Sequence, residues 1–394
     1  MREVYIVSFA RTPIGNLGGS LSAFSATQLG SIAIKAAVAK AGITPEMVQE
    51  VIMGNVLTAN VGQAPARQAV LGAGLPVSTV CTTINKVCAS GMKAIMLGAQ
   101  SIMLGDNDIM VCGGMESMTN APHYLPAMRG GIRYGAGQVI DGIVRDGLQD
   151  PYDQSMMGNC GEVCARERNI SREAQDEFAM ESYRRAREAA ANGSFKTEIT
   201  PVEVQGKNGV TYIETDEEVG NSRIVDISSL QKMRPAFDKA GTITAANASK
   251  INDGAAAVVL MSKEKADALG IKPLARIVAF ADAAQEPVWF TTTPAIAMQK
   301  ALTKANLSLS QMDAIEVNEA FAVVALANAA EMKMDLKKVN QWGGAVAIGH
   351  PIGVSGCRIV GTLTSILAQN GGKYGIASIC NGGGGASALI IEKI

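Results

Sequence analysis

The 394-residue sequence predicts an α/β protein built from two similar halves, stacked as α/β/α/β/α, with a separate segment inserted between them. Two observations predict this. Three stretches of the first half have counterparts, in the same order, in the second half, and each half alternates apolar strands with helices. The stretch from 119 to 250 has no counterpart. The boundaries read as 1–118 with 251–270 for the N-terminal half, 119–250 for the insertion, and 271–394 for the C-terminal half.

"MREVYIVSFARTPIG" opens the chain as a strand, leaving no room for a signal or transit peptide. "KAGITPEMVQEVIMGN" (40–55) matches "KANLSLSQMDAIEVNE" (304–319): a helix end, a Gly or Asn stop, a polar turn, then an apolar strand. "CASGMKAIMLGAQSI" (88–102) matches "GVSGCRIVGTLTSIL" (353–367), each placing a Ser-Gly step before a helix apolar almost all round and therefore buried. "DIMVCGGMES" (108–117) matches "GIASICNGGGGAS" (375–387), a buried strand ending in Cys-Gly or Cys-Asn-Gly. The alternation implies a largely parallel sheet with helix-covered faces. Within the insertion, Gly/Pro/Tyr-rich loop sequence leads to an amphipathic helix at 171–192, with Ser171 as N-cap, Gly193 as stop, and Phe178, Ala179, Tyr183 and Ala186 on one face. A polar hairpin, "VEVQGKNGVTYIET", follows. An insertion over strand ends is where a binding site belongs.

A formal net charge of −1 gives nucleic acid and anionic membranes nothing to attract, and no apolar run approaches the length of a membrane span. Seven cysteines without paired spacing indicate a reducing, cytoplasmic setting rather than a disulfide framework. Two histidines and no CxxC pair argue against a zinc site.

Cys88 lies at a strand-to-helix turn, "TTINKVCASGMKA", where the helix macrodipole predicts a lowered thiol pKa. Cys81, Cys112, Cys160, Cys164 and Cys357 read as small hydrophobes. His350, in "GHPIG", occupies the corresponding turn of the second half, which sets it facing Cys88 across the junction. His123, in "NAPHYLP", reads as an ordinary loop residue. Cys380 ends the last buried strand in "SICNGGGGASA", whose glycines offer unhindered N–H groups to an oxyanion. Asn318, in "VNEAFA", stands at a strand tip, a common place for a turn asparagine. Two thiols, one imidazole and one amide at strand ends suit carbon–carbon bond chemistry on a thioester.

"NKVCASGMKA", "VNEAFA", "GGAVAIGHPIGVSG" and "CNGGGGASA" resemble the signature segments of the thiolase family, ordered and spaced as in its biosynthetic branch. The similarity runs from "SFARTPIG" to the last strand. The resemblance implies a thiolase-like five-layer fold and an enzyme that interconverts two acetyl-CoA with acetoacetyl-CoA and CoA, with no cofactor required. It makes Cys88 the acyl-carrying nucleophile, His350 its activator, and Asn318 the holder of a water in an oxyanion hole. Cys380 becomes the α-carbon base, with the Cys88 and Gly382 amides as the second oxyanion hole. Arg223, Ser229 and Ser249 would hold CoA, with Ala320 and Phe321 beside its pantetheine. Tyr183, Ala245, Ala246, Ala248 and Val346 match positions that bind potassium in one branch. The family also implies a homotetramer, with "HYLPAMRGGIRYG" (123–135) as the tetramer loop.

Three places depart from that branch. "MMG" at 156–158 puts Met156 where it often has histidine, and Trp342 stands where it usually has asparagine. "PVWFTTTP" (287–294) resembles a segment that accommodates a 2-methyl group, with Phe290 in place but Trp289 and Thr291 different. Longer-chain 3-ketoacyl-CoA thiolases also carry apolar residues at the first two positions, so a broader-chain thiolase is the rival enzyme. A non-catalytic thiolase-like acyl-CoA carrier is the rival of another class.

Overall fold

The computed structural model describes every residue except Met1, Lys207, Asn208 and Val225. Ser90–Leu104 and Ser355–Asn370, the two helices with a Ser-Gly start, pack on each other at the centre. Both also touch strands of both halves, so they form the middle layer. Ile95, Ile359 and Leu363 are fully buried there, each contributing about 2 kcal/mol. On one side lie strands Val80–Ile84, Glu50–Gly54, Ile109–Ser117, Asn252–Ser262 and Val4–Arg11, in that spatial order. On the other lie Ala275–Ala284, Gly385–Lys393, Tyr374–Asn381 and Ala314–Val317. Tyr5 and Ile6 pair with Arg276 and Ala275, joining the two sets into one sheet around the helix pair. Helices Ala26–Lys40 and Pro65–Gly72 cover the first set, and Thr293–Ala305 covers the second. This is the five-layer α/β/α/β/α stack.

The matched segments adopt matched structures. Lys40 and Ala305 end helices followed by one turn of 3-10 helix, Pro45–Met47 or Leu309–Gln311, and then by a strand. Strand direction differs from the expectation of a largely parallel sheet. Among the strands of the described residues, only Glu50–Gly54 with its two neighbours and Ala314–Val317 with Tyr374–Asn381 run parallel. The long pairings of Ile109–Ser117 with Asn252–Ser262 and of Tyr374–Asn381 with Gly385–Lys393 are antiparallel. The cause is topological: each half ends by folding its last strand back on the one before it. In the second half a three-glycine turn makes that return, and in the first half residues 118–251 make it.

Val87–Leu104, a turn and the helix that follows it, corrects a second expectation, being an 18-residue stretch of mean hydropathy 1.4, apolar and long enough to cross a membrane. Its apolarity is accounted for by its place in the middle layer, where just over half of it, 56%, is buried.

Within the inserted segment, helix Arg172–Ala191 begins at Ser171, whose side chain accepts from the Ala174 amide. Gly193 follows the helix at φ +83°. Val202–Gly206 pairs with Gly209–Ile213, while Lys207 and Asn208 between them lie outside the described residues. Arg11, at the end of the first strand and 1% exposed, pairs with Glu198 at 2.8 Å and Asp216 at 2.7 Å. That buried triad pins the insertion to the end of a central strand, and losing Arg11 leaves two buried carboxylates uncompensated.

Candidate active site

Two turns meet at the start of the central helices. In the first, the Asn85 side chain accepts from the Val87 amide, and Ser90 Oγ donates to Val87 O at 2.6 Å while accepting from Lys86 N. These bonds hold Val87 at φ +47°, a conformation β-branched residues avoid, and Cys88 is the next residue. In the second turn Gly349 takes φ +116°, and the His350 amide donates to Asn252 Oδ1 at 2.8 Å. Glycine lets the turns touch. A Cβ on Gly91 would lie 2.8 Å from Cys357 N and 3.0 Å from the Gly353 and Val354 carbonyls.

His350 is buried, and its Nδ1 lies 2.6 Å from Ser355 Oγ. The Ser355 hydroxyl donates to Pro351 O, so its oxygen accepts from Nδ1–H. Nε2 is therefore the bare nitrogen. It lies 3.5 Å from Asn318 Nδ2, and Asn318 Oδ1 is buried without a protein partner. Burial first, and the Arg358 charge second, hold the His350 pKa down to about 3. The imidazole is thus a neutral proton acceptor.

The thiols overturn the helix-dipole expectation. Burial pushes Cys88 up to about 11, and the Glu116 carboxylate adds to this. Amide hydrogen bonds from Gly382 and from Cys88 itself pull in the other direction without prevailing. The helix proper starts only at Ser90, beyond an Ala89 N-cap, so Cys88 lies outside the first turn where the dipole acts. Cys380 is 1% exposed; burial raises its pKa well above the ordinary thiol value, and the nearby Cys88 charge raises it further. Both thiols rest neutral. The Gly382 amide, at the mouth of the turn joining the last two strands, faces Cys88, so Cys88, Cys380 and Gly382 share one junction.

A cavity of about 580 Å³ opens beside His350. Ser249, Phe321, Ala245 and Ala248 line it, with Ala320 buried behind and its carbonyl accepting from Ser249 N. Met156 and Met157 line it too, which puts the Met156 departure on the ligand side. Arg223 and Ser229 lie outside that lining. Arg223 is exposed, and Ser229 caps back onto Asp226. Trp342 is not at this cavity: it packs edge-on against Phe195 at 5.8 Å. Phe290 is buried in the cluster that holds Cys380 and Phe321. Cys112, Cys160, Cys164 and Cys357 are buried, Cys81 is half-buried, and His123 is exposed.

The potassium expectation does not fit the residues present. Tyr183, Ala248 and Val346 converge, with Ala245 and Ala246 in the same loop, but they converge on Lys250. Its Nζ donates to Ala248 O at 3.0 Å and Val346 O at 3.2 Å, and lies 5.5 Å from the Tyr183 ring centre. Two of the carbonyl oxygens a metal ion would use, those of Ala248 and Val346, already have a cation. Sequence reading passed over this lysine although it is the one cation in "TITAANASKINDG".

It also passed over Ser355, Asn252 and Glu116. Glu116 accepts from the amides of Val56, Leu57 and Gly353 and from Asn55 Nδ2, tying the 55–57 loop to the Gly353 turn near Cys88. Burial raises its pKa to about 7. A lone carboxylate in the apolar strand "IMVCGGMES" was the signal for it.

Two family descriptions match the chain: "Thiolase, N-terminal domain" over residues 4–264 and "Thiolase, C-terminal domain" over 271–393. Curated relatives are similar along their whole length. A Dictyostelium discoideum protein named "Probable acetyl-CoA acetyltransferase" is 55% identical, over 100% of this chain and 95% of its own. "Acetyl-CoA acetyltransferase 2" of Arabidopsis thaliana is 55% identical over 100% and 98%. "Acetyl-CoA acetyltransferase ERG10, cytosolic" of Gibberella zeae is 54% identical over 99% and 98%. With both domain descriptions and these relatives spanning its length, the chain belongs to the thiolase family.

Proposed function

We propose that this chain is an acetyl-CoA C-acetyltransferase, converting two acetyl-CoA into acetoacetyl-CoA and CoA and running the reverse thiolysis through an acetyl-cysteine. The observation that carries the proposal is the resting proton inventory: a half-buried Cys88 and a buried Cys380, both neutral and at one junction, with a bare imidazole nitrogen beside the cavity. The printed names of the relatives support the same activity.

The inventory closes over one turnover. Cys88 sulfur attacks the thioester carbonyl and its proton passes to His350 Nε2. The oxyanion is met by the Cys88 and Gly382 amides as charge develops. The CoA thiolate leaves and takes the proton that Cys380, neutral at rest, carries. Cys380, now a thiolate, removes the α-proton of the second acetyl-CoA, whose enolate oxygen is held by His350 and a water on Asn318 Oδ1. The carbanion attacks acetyl-Cys88, and the departing Cys88 thiolate recovers its proton from His350. All three groups return to their starting states. On this reading Ser249, Ala320 and Phe321 flank the pantetheine, and Arg223 and Ser229 meet the nucleotide end of CoA.

Purified protein tests the activity by thiolysis with free CoA, comparing acetoacetyl-CoA with 3-oxooctanoyl-CoA. Fast turnover confined to the short substrate supports the acetyltransferase. Equal turnover of the long one moves the protein to the broader-chain 3-ketoacyl-CoA thiolases, with Met156 as the cavity residue to exchange first. No turnover of either leaves an acyl-CoA carrier.

The proposed assembly is a homotetramer. Val80–Ile84 is an edge strand with Val80 59% exposed, a surface suited to pairing with a second copy. Leu125, Met128, Ile132 and Tyr134 are exposed on the 123–135 loop, an apolar set that a dimer of dimers would cover. Light scattering of the native protein decides the mass. A cytoplasmic location accords with the name of the Gibberella zeae relative, and fractionation of cells expressing the native chain tests it.

A further inference from the structure

We propose that the Lys250 ammonium is a built-in monovalent cation, tying the substrate-cavity wall to the His350 turn in place of any metal ion. The proposal deepens the thiolase reading and uses its assay. Three segments converge on Nζ. Ala248 O, at 3.0 Å, belongs to the loop whose Ser249 amide donates to Ala320 O and whose Ala248 bridges Phe321. Val346 O, at 3.2 Å, belongs to the short helix Ala345–Ile348, which runs directly into Gly349 and His350. Glu218, 3% exposed, stands 3.7 Å away.

The charge balance requires a cation at this point. Glu218 accepts from Tyr183 Oη at 2.5 Å and from Asn221 Nδ2 at 2.9 Å, both neutral donors. Arg187 stacks on the Tyr183 ring at 5.4 Å but gives its N–H groups to the carbonyls of Val219, Asn221 and Ile224. Among the described residues, Lys250 is the cation within ion-pair reach of Glu218. Gly349 N takes Ala345 O, and Lys250 supplies the donor for Val346 O, one of the carbonyls a helix end leaves over. Two carbonyls, a carboxylate and an aromatic face form a shell that a desolvated potassium or ammonium ion also satisfies. Here the chain brings its own.

The test uses the purified full-length protein and its Lys250→Ala and Lys250→Met variants, assayed for acetoacetyl-CoA thiolysis in choline, sodium, potassium, ammonium or methylammonium chloride. The wild-type rate should be the same in every salt. In choline, Lys250→Ala should lose about 10- to 100-fold in kcat/KM, because a displaced His350 turn misaligns the base. Potassium or ammonium should restore most of that loss saturably by filling the hole. Lys250→Met fills the hole with an uncharged chain and should lose the same activity without rescue. The thermal midpoint of Lys250→Ala should rise with potassium or ammonium while that of the wild type does not. A wild type that slows when potassium is replaced would overturn the proposal. So would a Lys250→Ala variant whose rate and midpoint ignore every cation. If the wild type shows no thiolysis, the acetyltransferase reading falls, and the salt dependence of the midpoints still decides the role of Lys250.

Discussion

Acidification should destabilise this protein through His350, by an amount that the structure specifies. The imidazole is 5% exposed, and burial, with Arg358 second, holds its pKa at about 3 against an ordinary 6.5. In the unfolded chain it binds a proton below about pH 6.5, whereas the folded chain refuses that proton until about pH 3. The folded-state pKa is the depressed one, so this contribution to stability is complete above 6.5 and is lost as pH falls through that window. It amounts to about 2 kcal/mol at pH 5 and about 5 kcal/mol in full. The chain has two histidines, so labelled imidazoles give two NMR signals, and His350→Asn assigns one of them. The His350 signal should stay at its neutral position from about pH 8 down to pH 5. Urea unfolding should show wild type losing about 2 kcal/mol more than His350→Asn between pH 7 and pH 5. If the His350 signal titrates near neutrality, the imidazole is not a desolvated neutral base and the proton inventory fails with it.

Ser355→Ala removes the acceptor that fixes the proton on Nδ1; kcat should fall about 10- to 100-fold with KM for CoA unchanged, and Ser355→Thr should recover part of the loss. Cys380→Ser should still form acetyl-Cys88, seen by mass spectrometry, while deuterium exchange at the methyl of acetyl-CoA stops. Glu116→Gln turns an amide N–H₂ toward groups that are already donors and should cost about 2–4 kcal/mol in chemical denaturation.

The central helices, their Ser-Gly starts and the Ser171 cap were legible because each rests on local chemistry: capping, small residues and an all-round apolar surface. Strand direction was not. Alternation of strands and helices does not record whether the chain crosses over or turns back, and both halves turn back at their last pairing. The acidity of Cys88 was misread because a helix start was visible in sequence, whereas the desolvation that outweighs it comes from elements distant in the chain. Trp342 looked like a substrate residue by its place in the family resemblance, but its ring is spent on Phe195 in the core. Lys250 was missed for a similar reason. Its carbonyl partners lie two residues before it and 96 residues beyond it, and nothing in the local pattern joins them.

The duplication explains how one site holds two different tools. Gly91 and Gly356 serve the same purpose in opposite halves: a Cβ on Gly91 would lie 2.8 Å from Cys357 N, and one on Gly356 would lie 2.5 Å from Met92 N. Each helix start therefore rests on the other's backbone, and the turns just before them are forced together. The serines before those glycines are equivalent as well, each donating to a carbonyl of its own turn, Val87 O at 2.6 Å and Pro351 O at 3.1 Å. In the first half the remaining valence of Ser90 Oγ accepts from Lys86 N and braces the strained backbone before the nucleophile. In the second, the same valence of Ser355 accepts from His350 Nδ1 and leaves Nε2 bare. The same kind of turn thus supports a thiol in one half and a base in the other. The asymmetry between them comes from a change in what the serine oxygen accepts.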